Sequence, residues 1–252
     1  MKKIFCLLTV SLLALTSCSS EEDTPTPIID NDVFLKKTIE MDMDSVFVTT
    51  TFNYDLDSIN KLTSVLSDNP LEMDVYVTYT GDLITKMIYK RNDSIKQTTH
   101  YEYDFDNKLV SFLKLNPVDS LGYKEIYTYD APSGAISINS FTGNLETQTT
   151  PKGTGAVYFI NGEVTQINTN YTPTYNYSYD TQKNPLKNVL GLAKISFADT
   201  EAKGVLHNIA TRTTNGSGLI SYLYTYDPKF YPLTCTQTTG GVTNFTTQYF
   251  YE

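Results

Sequence analysis

Apolar and polar residues alternate along most of the chain in a pattern typical of β-hairpins. In the clearest stretch, Tyr101 and Tyr103 share one face of a strand, because successive side chains of a strand point to opposite faces. Asp104 then favours a turn, and Asn107 tolerates the positive φ that a tight hairpin needs. The return strand is predicted to alternate strictly, with Leu109, Ser111 and Leu113 on one face and Val110 and Phe112 on the other.

The order aromatic-x-aromatic-Asp, turn and aliphatic residue recurs along the chain. Its central aromatic residues stand at positions 54, 79, 103, 129, 159, 179, 226 and 251. These positions are mostly 20 to 30 residues apart, and such a period marks an array of supersecondary units. One hairpin alone is marginal, so each unit must pair with its neighbours. The sequence therefore predicts an all-β fold, an antiparallel meander of repeated hairpins. Because large sheets curl, split or close, the meander is predicted to curl into an open or flattened barrel.

One segment interrupts this pattern. Asn184 and Pro185 are a suitable N-cap and first helical residue. The residues that follow at helical spacing are Leu186, Val189, Leu190 and Ala193. We predict one short inserted helix near 185–191, ending at Gly191 and covering an open edge of the sheet.

The first residues predict export and lipidation. Lys2 and Lys3 precede an apolar run that is too short to span a membrane. The run ends in Leu15-Thr16-Ser17-Cys18, which resembles the lipobox of bacterial lipoproteins. Residues 1–17 are therefore predicted to be a lipoprotein signal peptide, and Cys18 is the predicted lipidation site. An ordinary secretory signal followed by an unrelated cysteine is the alternative.

Residues 18–32 are predicted to form a tether rich in acidic residues and proline. Ser19-Ser20-Glu21-Glu22-Asp23 resembles a surface-export signal of some Gram-negative lipoproteins, and a solvated acidic tether explains it equally well. Pro25 and Pro27 favour an extended linker. Residues 33–252 are predicted to form a single β-repeat domain, long enough to bury a sizeable core.

The charge of the chain limits its partners. The formal net charge of the 252 residues is −9, and the signal peptide would remove two lysines and leave −11. An acidic protein is poorly suited to nucleic acid or to anionic lipid head groups. The lipid on Cys18 is therefore the expected link to the membrane.

The sequence offers no strong catalytic, cofactor or metal site. Cys235 is predicted to be packed rather than reactive, since no histidine lies near it in sequence. His100 and His207 lie in no metal-binding motif, and two histidines are too few for a usual zinc site. Three acidic pairs have the spacing of calcium loops but lack the rest of that motif, and aspartate is also the ordinary turn residue; they begin at Asp42, Asp55 and Asp104.

The repeat resembles two groups of bacterial proteins. Four copies keep Tyr-x-Tyr-Asp, as in the YD repeat of Rhs-type proteins, although Asn or Pro usually replaces the glycine of that repeat; they begin at Tyr101, Tyr127, Tyr177 and Tyr224. With the lipobox, the whole is more similar to small Gram-negative lipoproteins of unknown function that have a porin-like β fold. This resemblance implies an outer-membrane lipoprotein and brings no catalytic residues. Exposure at the cell surface rests on the acidic stretch 19–23, for which a solvated tether is the alternative.

Two classes of function follow from these observations. The first is a non-catalytic binding or scaffold module, with a glycan or peptide as ligand, because tyrosine combines a flat apolar ring with a hydroxyl. Most of the 20 tyrosines are nevertheless expected to fill the core. The alternative is a hydrolase of an extracellular polymer that uses a pair of Asp or Glu residues. We favour the first class, since no particular pair stands out.

Overall fold

The computed structural model describes residues 33–55, 57–58, 60–129, 134–215 and 217–252. The chain separates into two units, Met1–Asn31 and Asp32–Glu252, and every described element belongs to the second. The predicted signal peptide, the lipidation site Cys18 and the tether 18–32 therefore lie outside the described residues.

The described unit is built from sixteen antiparallel strands in meander order. Their bounds are β1 Leu35–Asp42, β2 Phe47–Tyr54, β3 Leu62–Ser67, β4 Asp74–Thr80, β5 Leu83–Arg91, β6 Ser94–Tyr103, β7 Leu109–Asn116, β8 Leu121–Tyr129, β9 Ile136–Gly143, β10 Thr150–Ile160, β11 Glu163–Thr169, β12 Tyr175–Lys183, β13 His207–Thr214, β14 Ser217–Tyr226, β15 Pro232–Thr239 and β16 Val242–Tyr251. All even-numbered strands finish at the same end of the barrel, which we call the proximal end. Val33 also lies there, because β1 begins at this end; the opposite end is the distal end.

The sheet closes, which corrects the predicted open or flattened barrel. β1 pairs with β16 along its length, from Leu35 opposite Tyr251 to Asp42 opposite Phe245. Closure leaves no sheet edge with unpaired N–H and C=O groups, and a sheet of this many twisted strands curls far enough for its ends to meet. The prediction of an all-β antiparallel meander is confirmed.

A β-bulge follows most of the proximal turns. Tyr103 lies opposite Leu109 while Glu102 lies opposite Ser111, so Val110 is an extra residue. The bulge turns both Leu109 and Phe112 into the buried interior, and the strict alternation predicted for this strand is therefore wrong. Equivalent bulges place further pairs three residues apart in the core, namely Ile84 with Met87 and Val164 with Ile167.

The recurring tyrosines share a hydrogen-bonding role at the proximal end. The Tyr103 hydroxyl donates to the Ile84 carbonyl at the start of the preceding strand, at 2.7 Å. The same bond to the preceding strand joins Tyr54 to Leu35, Tyr129 to Leu109, Tyr179 to Val164 and Tyr251 to Pro232. At five of its eight positions, the aromatic residue that recurs in the sequence thus ties its strand to the preceding one.

The segment between β12 and β13 does not form the predicted helix at 185–191. It consists of turns followed by two short 3₁₀ helices, Leu192–Ile195 and Ala198–Thr200. Gly191 adopts a left-handed conformation with φ 75°, which would end an α-helix. The Leu190 amide donates to the Asn60 carbonyl of the β2–β3 turn at 2.8 Å. This amide is therefore not available for a hydrogen bond within a helix. Within the described residues, no helix is long and apolar enough to cross a membrane.

This segment, which we call the plug (residues 184–206), fills the barrel interior instead of covering a sheet edge. Its side chains Val189, Leu192, Ile195 and Phe197 belong to the same buried cluster as the inward residues of the strands. Phe197 packs edge-on against Tyr127 of β8 and also against Phe159 of β10, with ring centroids 5.0 and 5.7 Å away. The plug therefore joins strands that are distant from one another in the sheet.

Candidate functional site

A buried carboxylate organises the polar part of the barrel interior. Glu125 lies between Tyr123 and Tyr127 on the inward face of β8 and is 0% exposed. Its side chain accepts hydrogen bonds from both tyrosine hydroxyls, and from the Asp199 amide of the plug at 3.0 Å. Burial raises the pKa of Glu125, and the two tyrosine hydrogen bonds oppose that rise. The contact fixes the position of the plug relative to β8.

The Asp199 side chain joins the plug to β7. Its carboxylate oxygens lie 2.5 and 2.6 Å from the Lys114 ammonium. Asp199 and Thr200 both have positive φ, at 67° and 54°, which is uncommon for residues other than glycine. Lys203 lies near this pair; burial lowers its pKa, while the charges of Asp199 and Glu201 raise it.

A cavity of about 550 Å³ opens beside this cluster. It lies at the distal end, because its walls include Asn116 at the end of β7 and Gly122 near the start of β8. Its volume is in the range of pockets that bury small ligands. The polar and aromatic side chains in its wall come from five neighbouring strands, β6 to β10, and Asp199 and Thr200 of the plug complete it; the strand residues include Gln97, Lys114, Asn116, Tyr123, Thr142 and Lys152.

Tyr123 and Lys152 form the side of the cavity nearest β10, and Tyr171 lies next to Lys152. The Lys152 ammonium lies 4.4 Å from the centre of the Tyr123 ring and 4.9 Å from that of Tyr171. Hydrogen bonds hold both rings in place, since the Tyr123 hydroxyl donates to Glu125 and the Tyr171 hydroxyl lies 2.5 Å from Ser140 Oγ. Within the described residues, no carboxylate forms an ion pair with Lys152.

The outer wall of the barrel carries both exposed apolar side chains, such as Ile126 and Leu223, and polar ones. Ser178 Oγ lies 2.6 Å from Thr211 Oγ1 on the neighbouring strand, and Thr225 and Thr234 make the same contact at 2.7 Å. Charged side chains also point outward from the middle of several strands. Lys86 stands opposite His100, and Glu102 and Lys124 line the same shallow groove as His100.

The residues considered from sequence do not meet in one site. Cys235 is 3% exposed, and burial raises its pKa to about 11, so its thiol stays protonated and unreactive at neutral pH. His100 lies on the outer wall, whereas His207 lies beside Glu163, with 3.4 Å between Nδ1 and Oε1.

The three acidic pairs serve as turn residues. In each pair the first carboxylate accepts the backbone amide two residues further on, at 2.8–2.9 Å; these residues are Asp42, Asp55 and Asp104. Within the part of the chain that the structure describes, no three His, Cys, Asp or Glu side chains are grouped to hold a metal ion.

Sequence reasoning missed the cavity residues. Glu125 and Asp199 are 74 positions apart, and nothing in the local pattern connects them. One signal was present: Glu125 lies on the same strand face as Tyr123 and Tyr127, where a buried acid requires partners. Lys114 likewise follows Phe112 on the inward face of β7.

The barrel and its meander define the class of fold as a porin-like β-barrel. A porin-like protein from Bacteroides uniformis ATCC 8492 has a similar structure, with a TM-score of 0.51 and 11% sequence identity. The match covers 87% of this chain and 98% of that protein. At this identity the likeness concerns the fold alone. No protein-family model matches the chain, and no curated protein matches it significantly.

Proposed function

We propose that this protein is an outer-membrane lipoprotein of a Gram-negative bacterium, exposed at the cell surface, whose barrel is a non-catalytic binding module. The cavity at the distal end carries this proposal. It combines the Tyr123 ring with a few polar groups, as small-ligand sites do. The ligand we propose is a glycan or peptide whose end enters this cavity.

The charged residues in the middle of the outer wall support anchoring by the lipid on Cys18. Transmembrane barrels present an apolar band to lipid, and a lysine at the bilayer midplane costs about 2–4 kcal/mol. Lys86 and Lys124 lie mid-strand on the outer wall, so we propose that the barrel stays outside the bilayer. Val33, the first described residue, lies at the proximal end of the barrel, opposite the cavity mouth.

A polymer hydrolase is the second candidate, because Glu125 and Asp199 bring two carboxylates close to the cavity. We favour binding over hydrolysis for two reasons. Glu125 is fully buried and accepts three hydrogen bonds, which leaves it no access to a glycosidic bond. Asp199 is held in an ion pair with Lys114.

A glycan and peptide array probed with the Asp32–Glu252 unit tests the proposal. Thr142→Trp would fill the cavity, and Thr128→Trp would place the same side chain on the outer face of β8 as a control. We expect saturable binding that Thr142→Trp abolishes and Thr128→Trp leaves intact. Equal binding by both variants would place the ligand elsewhere, and no binding by any array member would contradict a binding module. Polymer turnover abolished by Glu125→Gln would establish the hydrolase.

A further inference from the structure

The cavity lining has an excess of positive charge although the chain as a whole carries a net charge of −9. The lining holds two ammonium groups, those of Lys114 and Lys152, and one carboxylate, that of Asp199. The neighbouring carboxylate of Glu125 is fully buried and lies outside the lining. A positive site in an acidic protein favours an anionic ligand, because low-dielectric walls strengthen the local field.

Lys152 is the group best placed to bind such a ligand. Lys114 is already paired with Asp199 at 2.5 Å. The Lys152 ammonium instead contacts the Tyr123 and Tyr171 rings, at 4.4 and 4.9 Å from their centres. A cation over aromatic rings gains roughly 0.5–2 kcal/mol, less than a buried cation gains from a carboxylate partner. The amine therefore keeps most of its capacity to bind an anion.

The remaining wall suits a sugar ring. Gln97 and Thr142 supply an amide and a hydroxyl group that can pair with sugar hydroxyls. Tyr123 supplies a flat apolar face held in fixed orientation, because its hydroxyl is bonded to Glu125.

From this arrangement we infer that the cavity recognises a carboxylate-bearing saccharide, such as a hexuronic acid unit of an acidic polysaccharide, through Lys152. The inference rests on the proposed binding function and names the ligand class of the same site. In the complex, the sugar carboxylate pairs with the Lys152 ammonium and the ring lies beside Tyr123.

Calorimetric titration of the Asp32–Glu252 unit with oligogalacturonate tests the inference. The neutral methyl ester of the same oligosaccharide is one comparison, and acetate tests a carboxylate without a sugar. Lys152→Met should weaken oligogalacturonate binding by about tenfold or more, since a hydrogen bond to a charged group is worth about 1.5–3 kcal/mol. Lys124→Met, on the outer face of β8, is the matched control and should bind like wild type. The near-UV circular dichroism of both variants should match that of the unaltered protein.

The outcomes separate this inference from the proposed function. Weaker binding of the methyl ester, together with the loss in Lys152→Met, would support recognition of the carboxylate. Equal affinity for the acid and its ester would overturn the inference while leaving the binding module intact. Binding of acetate as tight as that of oligogalacturonate would also overturn it, because the sugar would then contribute nothing. Unchanged binding by a folded Lys152→Met would exclude Lys152 as the anion partner.

Discussion

Replacing Phe197 by alanine tests whether the plug is part of the barrel core. Phe197 is 4% exposed and packs edge-on against Tyr127 and Phe159. Truncating a buried phenylalanine to alanine costs about 3–5 kcal/mol, to which each edge-to-face pair contributes roughly 0.5–1.5 kcal/mol. For a domain of this size, such a loss lowers Tm by about 6–20 °C.

Urea unfolding followed by circular dichroism measures the effect. We expect the midpoint to fall for Phe197→Ala with the slope m unchanged, because the plug and barrel then unfold together. Phe105→Ala is the control: this side chain is 94% exposed at a proximal turn, and its removal should change stability by no more than about 0.5 kcal/mol. Equal stability of the two variants would refute the packing argument, since the plug would then contribute no core. A smaller m for Phe197→Ala would mean that the plug detaches while the barrel persists.

Three further outcomes are expected. Tyr103→Phe should cost about 1 kcal/mol of unfolding free energy by removing the bond to the Ile84 carbonyl, whereas Tyr158→Phe on the exposed outer wall should cost almost nothing in the same urea assay. Burial raises the pKa of many tyrosines, that of Tyr79 to about 12, so the fold favours their protonated form. Stability should be full below pH 10 and fall as pH rises further, and absorbance at 295 nm should show the buried tyrosines ionising only as the barrel unfolds. Ionisation of most of the 20 tyrosines near pH 10 with the barrel intact would contradict the burial argument. Cys18→Ala should move the protein from the membrane to the soluble fraction of lysed cells, and equal membrane retention would rule out the lipid anchor.

The local part of the fold could be predicted from the sequence because it depends on neighbouring residues. Alternation along β6 and the turn-forming Asp104 are sufficient to indicate a hairpin, and the recurring period indicates a meander. The structure adds the reason for the period, which is the tyrosine hydroxyl bond to the preceding strand. The bulge at Val110 is a local feature too, but apolar residues spaced by three, such as Leu109 and Phe112, do not by themselves indicate a bulge.

Closure and the plug depend on contacts between distant residues. β1 and β16 come from opposite ends of the described chain, so no local pattern records their pairing. The spacing of apolar residues after Pro185 fits a helix, yet the Leu190 amide bonds to Asn60 and the backbone follows the barrel interior. The candidate site also depends on contacts between distant residues, since its walls come from β6 to β10 and from the plug.

The position of the plug constrains the order of folding. The plug follows β12 in sequence, and its contacts include β5, β8 and β10, all of which precede it. If β1 met β16 first, the plug would have to thread through the end of a finished barrel. We therefore expect the first twelve strands to assemble around the plug, with β13 to β16 closing the wall last. Long-range pairing of this kind is slow, because the entropy of closing a long loop is lost before the contacts form. In pulse-labelled hydrogen exchange, the amides of β7 and β8 should accordingly become protected before those that pair β1 with β16. The reverse order would show that the barrel closes before the plug enters it.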